Sequence, residues 1–423
     1  MKEMKKAVFT IVAKNYIGLA EVLGQSVRSK TDCDFFILVA DEITPDVSVP
    51  SHVLIARDCL EYERSVWEKM SFQYNLVEFC TAIKPAAFQY FFDKRQFEKV
   101  IYADPDVFFF DSADHIFNDL DQYPILLTPH LLKLQTQFKG DYADYLFLSN
   151  GTFNLGFLAL RKTGTVGAFL EWWHERLVNQ CYFDFEKGMA TDQKWINLLP
   201  GFFSSMELKV CFHKGMNVAP WNYHERKLMK QGDQWQVVDR ETGDGAVPLV
   251  FVHFSGYDYG SFLRGQPDHK SESKGYADYE PIFREYAEAL AKGDFAKFIN
   301  LKYSYAFFDN GKNIISLNRR IFRSLTDEGK IYAAPFSTKE GSYYQFCKKA
   351  GLIDTSAVSA DKITNRQIGG FSTKLKYINL FFTFVKFLLG VRRYSMMIRF
   401  FRRYFQEENQ AFLLDRELGK KFK

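Results

Sequence analysis

The alternation of strand, helix and strand at the amino terminus is the feature that most restricts the fold of this 423-residue chain. Residues Ala7–Ala13 form a short run of apolar and β-branched residues, and Tyr16–Arg28 has apolar residues at helical spacing. A second strand-like run follows at Asp34–Ala40. This order is typical of a β-α-β unit, so it predicts an α/β protein with a mostly parallel central sheet.

Further elements of the same kind follow as far as residue 253. The patterns predict helices at Glu61–Ile83, Pro85–Phe92 and Thr165–Asn179, and strands at Lys99–Phe110, Ile125–Thr128, Gly156–Leu160 and Leu249–His253. Beyond residue 276 the pattern becomes mainly helical, most clearly at Tyr279–Lys297. We therefore predict an α/β domain over 1–270, a helical extension over 271–370 and a basic, aromatic tail over 371–423.

The formal net charge of +4 is unevenly distributed along the chain. Residues 374–423 contain twelve Lys/Arg against four Asp/Glu, a local charge of +8, which leaves −4 for the rest. An acidic body without a recognition motif argues against a nucleic-acid-binding protein. The six cysteines form no CxxC pair, which argues against a zinc site or a disulfide framework and favours a reducing compartment.

The sequence contains no run of apolar residues that is long enough to span a bilayer, and Ala7–Ala13 is short for a signal peptide. We therefore expect a cytoplasmic protein. In residues 374–405, eight basic residues alternate with aromatic and aliphatic ones. Two interpretations of this segment stay open. It is either an interfacial helix on an anionic membrane surface, the inner face of the plasma membrane, or a terminal helix packed on the body.

The main candidate for a functional site is Asp104-Pro105-Asp106, which interrupts the strand-like run Lys99–Phe110. Ligands of open α/β sheets bind at the carboxyl ends of strands, and two carboxylates there suit Mn²⁺ or Mg²⁺, which can hold a diphosphate. A solvated Asp-Pro turn would explain the same residues. His253 follows a strand and is either a third ligand, which favours Mn²⁺, or a structural hydrogen-bonding residue.

Three further motifs have simple structural explanations when each is considered alone. Asn154-Leu155-Gly156 could form a turn, and Thr191 could cap the helix that begins at Gln193. Lys84 precedes a helical segment, where its cation could face a phosphate or remain in solvent.

Together and in this order, the motifs resemble those of glycosyltransferase family 8, whose relatives include bacterial lipooligosaccharide galactosyltransferases and glycogenin. The resemblance spans roughly residues 7–256. It is carried by Ala13-Lys14-Asn15-Tyr16, Lys84, Lys99–Asp106, Asn154-Leu155-Gly156, Asp192-Gln193 and His253-Phe254-Ser255-Gly256. It implies a GT-A fold, a nucleotide-sugar donor, Mn²⁺ (or Mg²⁺) as cofactor and retention of the anomeric configuration.

The resemblance also implies a role for each matching residue. Asp104, Asp106 and His253 would bind the metal. Asp192 and Gln193 would be the catalytic pair near the anomeric carbon. The donor would be bound by Thr10, Ala13, Asn15, Tyr16, Lys84, Asp104, Asn154 and Gly256.

Two positions depart from the family pattern. Tyr257-Asp258-Tyr259-Gly260 stands where many members have Lys-Pro-Trp, whose lysine grips the diphosphate, and Lys14 stands where many carry an acid near the base. We expect a hexosyltransferase that takes a UDP-sugar and acts on a glycan or lipid-linked acceptor in bacterial cell-surface polysaccharide synthesis. The alternative is a GT-A module that binds sugar nucleotide or glycan as a scaffold without turnover.

Overall fold

The computed structural model describes residues 4–45, 47–269, 275–357, 359, 361 and 371–416. The chain divides into two compact units. Unit 1 comprises Met1–Tyr62 and Val77–Tyr303, and unit 2 comprises Glu63–Leu76 and Ser304–Lys423. The predicted boundaries at 270 and 370 lie outside the described residues, and the predicted domain division stays a prediction.

In the residues that the structure describes, the strands all belong to unit 1. In chain order they are β1 (Lys6–Val12), β2 (Asp34–Val39), β3 (Val53–Ile55), β4 (Lys99–Ala103), β5 (Val107–Phe109), β6 (Ile125–Pro129), β7 (Phe153–Arg161), β8 (Phe183–Asp184), β9 (Met189–Ala190), β10 (Leu208–Val210), β11 (Arg226–Gln231), β12 (Gln234–Asp239), β13 (Val247–Pro248), β14 (Phe251–His253), β15 (Tyr257–Asp258) and β16 (Asp268–His269).

The helices occur in both units. In chain order they are α1 (Ile17–Arg28), α2 (Ala56–Cys59), α3 (Arg64–Gln73), α4 (Leu76–Ala82), α5 (Lys84–Asp93), α6 (Asp114–Gln122), α7 (Tyr145–Asn150), α8 (Gly164–Leu177), α9 (Gln193–Ile196), α10 (Leu199–Phe202), α11 (Tyr259–Leu263), α12 (Glu280–Lys292), α13 (Phe295–Phe298), α14 (Ser316–Asp327), α15 (Tyr343–Lys349) and α16 (Phe371–Tyr404).

The central sheet of unit 1 has seven strands in the order β10-β6-β7-β4-β1-β2-β3. The pairs β1–β2, β1–β4, β2–β3 and β6–β10 are parallel, whereas β7 runs antiparallel to both β4 and β6. Beyond residue 276 the chain is mainly helical. The predicted α/β architecture, a mostly parallel sheet with helices followed by a helical carboxy-terminal region, is therefore confirmed.

The hydrophobic pattern explains why β1 and β4 lie at the centre of the sheet. Both read as nearly continuous apolar runs and are buried along almost their whole length, as expected for strands covered on both faces. Their parallel register pairs Phe9 with Tyr102. The residues that follow both strands, Ala13–Tyr16 and Asp104–Asp106, therefore lie at the same edge of the sheet.

Several elements differ from their predicted bounds. The helical run predicted at Glu61–Ile83 is interrupted at Tyr74, whose extended backbone (φ −99°, ψ 142°) separates α3 from α4. The helix predicted at Tyr279–Lys297 stops before Gly293, whose extended backbone (φ −85°, ψ 175°) precedes α13. Glycine is a poor helix former, which explains the break.

Unit 2 has its own hydrophobic core. Phe72 of α3 packs with Ile321 and Phe322 of α14 and with Tyr343 of α15. After α16, residues Glu407–Leu413 form a 3₁₀ helix in the same unit. Ala411 of that segment is buried in the core, so the end of the described chain is part of unit 2.

Helix α16 presents most of its side chains to solvent. Phe387 and Val391 are 80% and 77% exposed. The helix is interrupted at Gly390, which adopts positive φ (70°). In the part of the chain that the structure describes, no helix is both long enough and apolar enough to cross a membrane.

Candidate functional site

Asp104, Asp106 and His253 bring three potential metal-ligand atoms within 4.8 Å of one another. The two aspartates follow β4 at its carboxyl end, and His253 is the last residue of β14, which pairs with β5. Nε2 of His253 lies 3.1 Å from Oδ1 of Asp106 and 3.8 Å from Oδ2 of Asp104. The three residues predicted as metal ligands thus form one cluster.

Backbone hydrogen bonds hold the turn that carries the two carboxylates. The amide of Asp104 donates to the carbonyl of Gly156 (2.8 Å), and the amide of Val107 donates to the carbonyl of Asp104 (3.0 Å). The carbonyl of Asp106 accepts from the amide of Phe254 (2.9 Å). The interruption between β4 and β5 is therefore a fixed turn between the central sheet and β14.

The side chain of Asn154 orients the imidazole of His253. Oδ1 of Asn154 accepts from the backbone amide of Gly156 and from Nδ2 of Asn217 (both 3.2 Å), which identifies this atom as the oxygen. The same oxygen lies 3.1 Å from Nδ1 of His253. Nδ1 therefore carries hydrogen, and Nε2 is the ring nitrogen that faces the carboxylates.

The charges of the cluster act on one another. Burial lowers the pKa of His253, but the negative charges of Asp106 and Asp104 raise it by more, so that the net change is upward. Burial raises the pKa of Asp106, but the positive charge of His253 and the hydrogen bond from Tyr259 lower it by more, so that the net change is downward. A proton on Nε2 thus partly compensates the two carboxylates, a task that a cation could also perform.

Two observations fit a divalent cation at this cluster. Oδ1 of Asp106 is buried and has no hydrogen-bond partner among the described residues. A Cβ atom on Gly156 would lie 2.2 Å from Cε1 of His253, so only glycine leaves room for the imidazole. Two carboxylates and one imidazole are a ligand set that suits Mn²⁺.

A second charged group lies beside the cluster. Nζ of Lys84 is 2.9 Å from Oδ2 of Asp192, donates to the carbonyl of Leu155 (2.9 Å) and lies 4.0 Å from Oδ1 of Asp104. It also lies 4.2 Å from the ring centroid of Tyr102. Burial lowers the pKa of Lys84, but Asp192 and Asp104 raise it by more, so the lysine is a cation at neutral pH.

The contacts around Asp192 differ from the prediction that Thr191 caps the helix that begins at Gln193. Thr191 makes no helix cap; its hydroxyl donates to Oδ1 of Asp192 (3.1 Å), and its backbone has positive φ (48°). The amide of Gln193 is engaged at both ends, because Oε1 accepts from the backbone amide of Leu155 and Nε2 donates to the carbonyl of Asn150 (both 2.9 Å). Gln193 therefore ties α9 to β7 and to the last residue of α7.

The predicted donor-binding residues of the amino-terminal segment lie in β1 or shortly after it. The hydroxyl of Thr10 and Oδ1 of Asn15 are buried without hydrogen-bond partners in the described ranges, and Ala13 is buried. The ring of Tyr16 packs edge-on against that of Tyr259 (6.0 Å between centroids).

Gly256 lies three residues after His253. It has positive φ (81°), and a Cβ there would lie 2.7 Å from Nε2 of His269. The positive φ and the close approach of His269 both explain, in structural terms, why residue 256 is glycine.

Three residues near the cluster were missed by the sequence analysis. The hydroxyl of Tyr259 donates to Oδ2 of Asp106 (2.8 Å). Asn217 donates to the Oδ1 of Asn154 that orients His253, and the ring of Trp221 packs edge-on against His253 (5.2 Å). The sequence could have indicated Tyr259, because it lies in the segment that departs from the family pattern. Asn217 and Trp221 lie in no motif that the sequence analysis identified.

No protein-family model matches the sequence. The chain is 28% identical over 262 residues to the uncharacterized protein YfnF of Bacillus subtilis (strain 168). The matched region covers 60% of this chain and 82% of YfnF.

Among solved structures, the chain is similar to the galactosyltransferase LgtC in complex with donor and acceptor sugar analogues. The TM-score is 0.41, with 17% identity and coverage of 68% of this chain and 96% of that chain. It is also similar to the apo form of mouse xyloside xylosyltransferase 1, with a TM-score of 0.36, 11% identity and coverage of 59% and 98%. Both TM-scores are below 0.5.

Proposed function

We propose that this protein is a metal-dependent, retaining glycosyltransferase. It transfers a hexose from a nucleotide-diphosphate sugar, a UDP-sugar, to a glycan or lipid-linked acceptor in bacterial cell-surface polysaccharide synthesis. The observation that carries the proposal is the cluster of Asp104, Asp106 and His253 at the carboxyl end of β4, with its ligand atoms within 4.8 Å. The donor nucleotide, the hexose and the acceptor class come from the resemblance of the motifs.

The cluster would bind Mn²⁺ or Mg²⁺ through the carboxylates of Asp104 and Asp106 and through Nε2 of His253. A cation bound there would neutralise negative charge on the leaving nucleoside diphosphate. Asn154 keeps Nε2 directed at the carboxylates, and the absence of a side chain on Gly156 leaves room for the ring. The protein thereby holds the ligands in place before the donor arrives.

Lys84 and Asp192 provide opposite charges beside the cluster. In the proposal Asp192 lies near the anomeric carbon, where its negative charge would stabilise an oxocarbenium-like sugar. Lys84 holds this carboxylate in one orientation at 2.9 Å. Burial raises the pKa of Asp192, and the positive charge of Lys84 offsets part of that rise. Thr10, Ala13, Asn15, Tyr16, Asn154 and Gly256 would hold the remaining parts of the donor.

The anomeric configuration would be retained if the acceptor attacked the anomeric carbon from the same face of the sugar from which the diphosphate leaves. An amide is a poor covalent nucleophile, and both ends of the Gln193 amide are occupied by hydrogen bonds to Leu155 and Asn150. Asp192 is held by Lys84 and Thr191. Mass spectrometry of the native enzyme with donor tests this step, because a glycosyl adduct on Asp192 would show a double displacement instead.

We also propose that α16 holds a cytoplasmic enzyme at the inner face of the plasma membrane. Its basic residues lie among exposed apolar side chains such as Phe387 and Val391. Such a surface suits the interface of an anionic membrane, where each basic residue contributes about 1 kcal/mol. A lipid-linked acceptor would be found at the same place.

Donor hydrolysis tests the enzymatic proposal. The wild-type protein is incubated with UDP-, GDP- and dTDP-sugars in the presence of Mn²⁺, and release of nucleoside diphosphate is measured. We expect turnover of a UDP-sugar that falls more than about 100-fold in Asp106→Ala, beyond the roughly 10–100-fold effect of residues that only support ligands. The matched control is Asp32→Ala, an exposed residue of another Asp-x-Asp sequence, which should retain turnover.

The outcome separates the enzyme from the scaffold alternative. A protein that binds a sugar nucleotide but hydrolyses none, equally in wild type and Asp106→Ala, would be the non-catalytic module. A wild-type activity that EDTA leaves intact would contradict the metal dependence while leaving the transferase activity in place.

A further inference from the structure

Tyr259 connects two parts of the candidate site. It is the first residue of α11, and its hydroxyl donates to Oδ2 of Asp106 at 2.8 Å. Its ring packs edge-on against Tyr16, at 6.0 Å between centroids and 89° between planes. Tyr16 follows β1 and is one of the residues proposed to bind the donor.

The hydrogen bond from Tyr259 leaves the two oxygens of Asp106 in different environments. Oδ2 accepts from the tyrosine, whereas Oδ1 is buried 3.1 Å from Nε2 of His253 without a hydrogen bond in the described residues. A carboxylate that binds a metal is usually oriented by a further hydrogen bond to its other oxygen. The geometry at Asp106 is of that kind.

We propose that Tyr259 is a positioning residue for the metal site: its hydroxyl fixes the carboxylate of Asp106 so that Oδ1 faces the cluster. Tyr259 acts through Asp106 and need not touch the substrate. The inference rests on the proposed function, because it requires that the cluster binds a divalent cation. It also assigns a role to the Tyr257–Gly260 segment, which lacks the lysine of the family pattern.

The segment around Tyr259 has anchors of its own. Oδ1 of Asp258 accepts from the amide of Gly260 (3.0 Å), and the hydroxyl of Ser261 accepts from the amide of Asp268 (2.7 Å). Tyr257 pairs with His269 across β15 and β16. These contacts do not involve the hydroxyl of Tyr259, so Tyr259→Phe should remove one hydrogen bond and leave the segment in place.

Direct binding of Mn²⁺ to the full chain, measured by calorimetry without donor, tests the inference. We expect Tyr259→Phe to bind Mn²⁺ about 10–100-fold more weakly than wild type. Asp106→Ala should lose binding. The matched control is Tyr257→Phe, which removes a buried hydroxyl from the same segment, one that faces Tyr223 and not the cluster. It should bind Mn²⁺ as tightly as wild type.

The results distinguish this inference from the proposed function. If Tyr259→Phe binds Mn²⁺ like wild type while Asp106→Ala does not, the positioning role is overturned and the metal site stands. If wild type binds no Mn²⁺, both are overturned. If both phenylalanine variants lose affinity and unfolding midpoint together, the effect is general destabilisation, which also overturns a specific role for Tyr259.

Discussion

Lys84 and Asp192 form an ion pair that is buried on both sides, with 2.9 Å between Nζ and Oδ2 and only 2% of each side chain exposed. Such a pair stabilises a fold little in itself, because both charges lose their hydration. Each side chain nevertheless depends on the other: Asp192, with Asp104, stabilises the charge of buried Lys84, and Lys84 offsets part of the rise that burial causes in the pKa of Asp192. The pair therefore couples the start of α5 to the residue that precedes α9, and it lies beside the candidate metal cluster.

Removing both partners of this pair should be less harmful than the sum of the two separate removals. Lys84→Met and Asp192→Asn each leave a buried group without its counter-charge, and we expect losses of about 3–5 kcal/mol in the free energy of unfolding. The double variant should lose clearly less than the two single losses combined. Urea unfolding of the four proteins measures this, and strict additivity would show that the two charges do not interact.

Gly156 offers a separate test of the imidazole site. A Cβ there would lie 2.2 Å from Cε1 of His253, so Gly156→Ala should displace the ring, destabilise the fold by about 1–3 kcal/mol and weaken Mn²⁺ binding at least about 10-fold. The control is Gly167→Ala in α8, where an added Cβ meets no atom within 4 Å. That variant should keep its Mn²⁺ affinity, which calorimetry checks. Unchanged affinity in Gly156→Ala would contradict the assigned ligand.

The amino-terminal fold could be predicted because hydrophobic periodicity is a local signal. Strands β1 and β2 and helix α1 begin and end within one or two residues of the predicted bounds. The turn at Asp104-Pro105-Asp106 was also visible, because it interrupts an apolar run. The break at Tyr74 was not, since its segment has helical periodicity on both sides and the extended residue belongs to a separate unit.

The contacts of the site depend on pairing between distant segments. Tyr259 and Asp106 are 153 residues apart, and Asn154 and His253 are 99 apart. The sequence could place His253 near the aspartates only through its resemblance to a family. The role of Asn217 follows from a hydrogen bond to another side chain, for which periodicity carries no information.

The basic residues of α16 should determine membrane binding. At about 1 kcal/mol for each basic residue near an anionic surface, replacing Lys386, Arg392 and Arg393 with Gln should weaken binding to phosphatidylglycerol vesicles roughly 100-fold. Donor hydrolysis should not change. Substitution is preferable to truncation, because Ala411 is buried in the core of unit 2 and removing residues 374–423 would damage that unit.

The control variant for the membrane experiment also loses three positive charges, but from unit 1 instead of α16. Lys5, Lys30 and Lys227 are exposed in unit 1, and their triple replacement with Gln should leave vesicle sedimentation unchanged. Neutral phosphatidylcholine vesicles should bind wild type much more weakly. Equal losses in the two triple variants would show that net charge, and not α16, is responsible.

His130 should make stability fall as the pH is lowered. It is 6% exposed, and burial lowers its pKa to about 4, against an ordinary value of about 6.5. Between these values the unfolded chain takes up a proton that the folded protein does not. The stabilising contribution is therefore present above pH 6.5 and is lost as the pH falls towards 4, by about 3 kcal/mol at about 1.4 kcal/mol for each unit of pKa. Urea unfolding of wild type and His130→Gln at pH 7.5, 6 and 4.5 measures this. The variant should start less stable and lose less on acidification, and an equal loss in both would assign the effect to other groups.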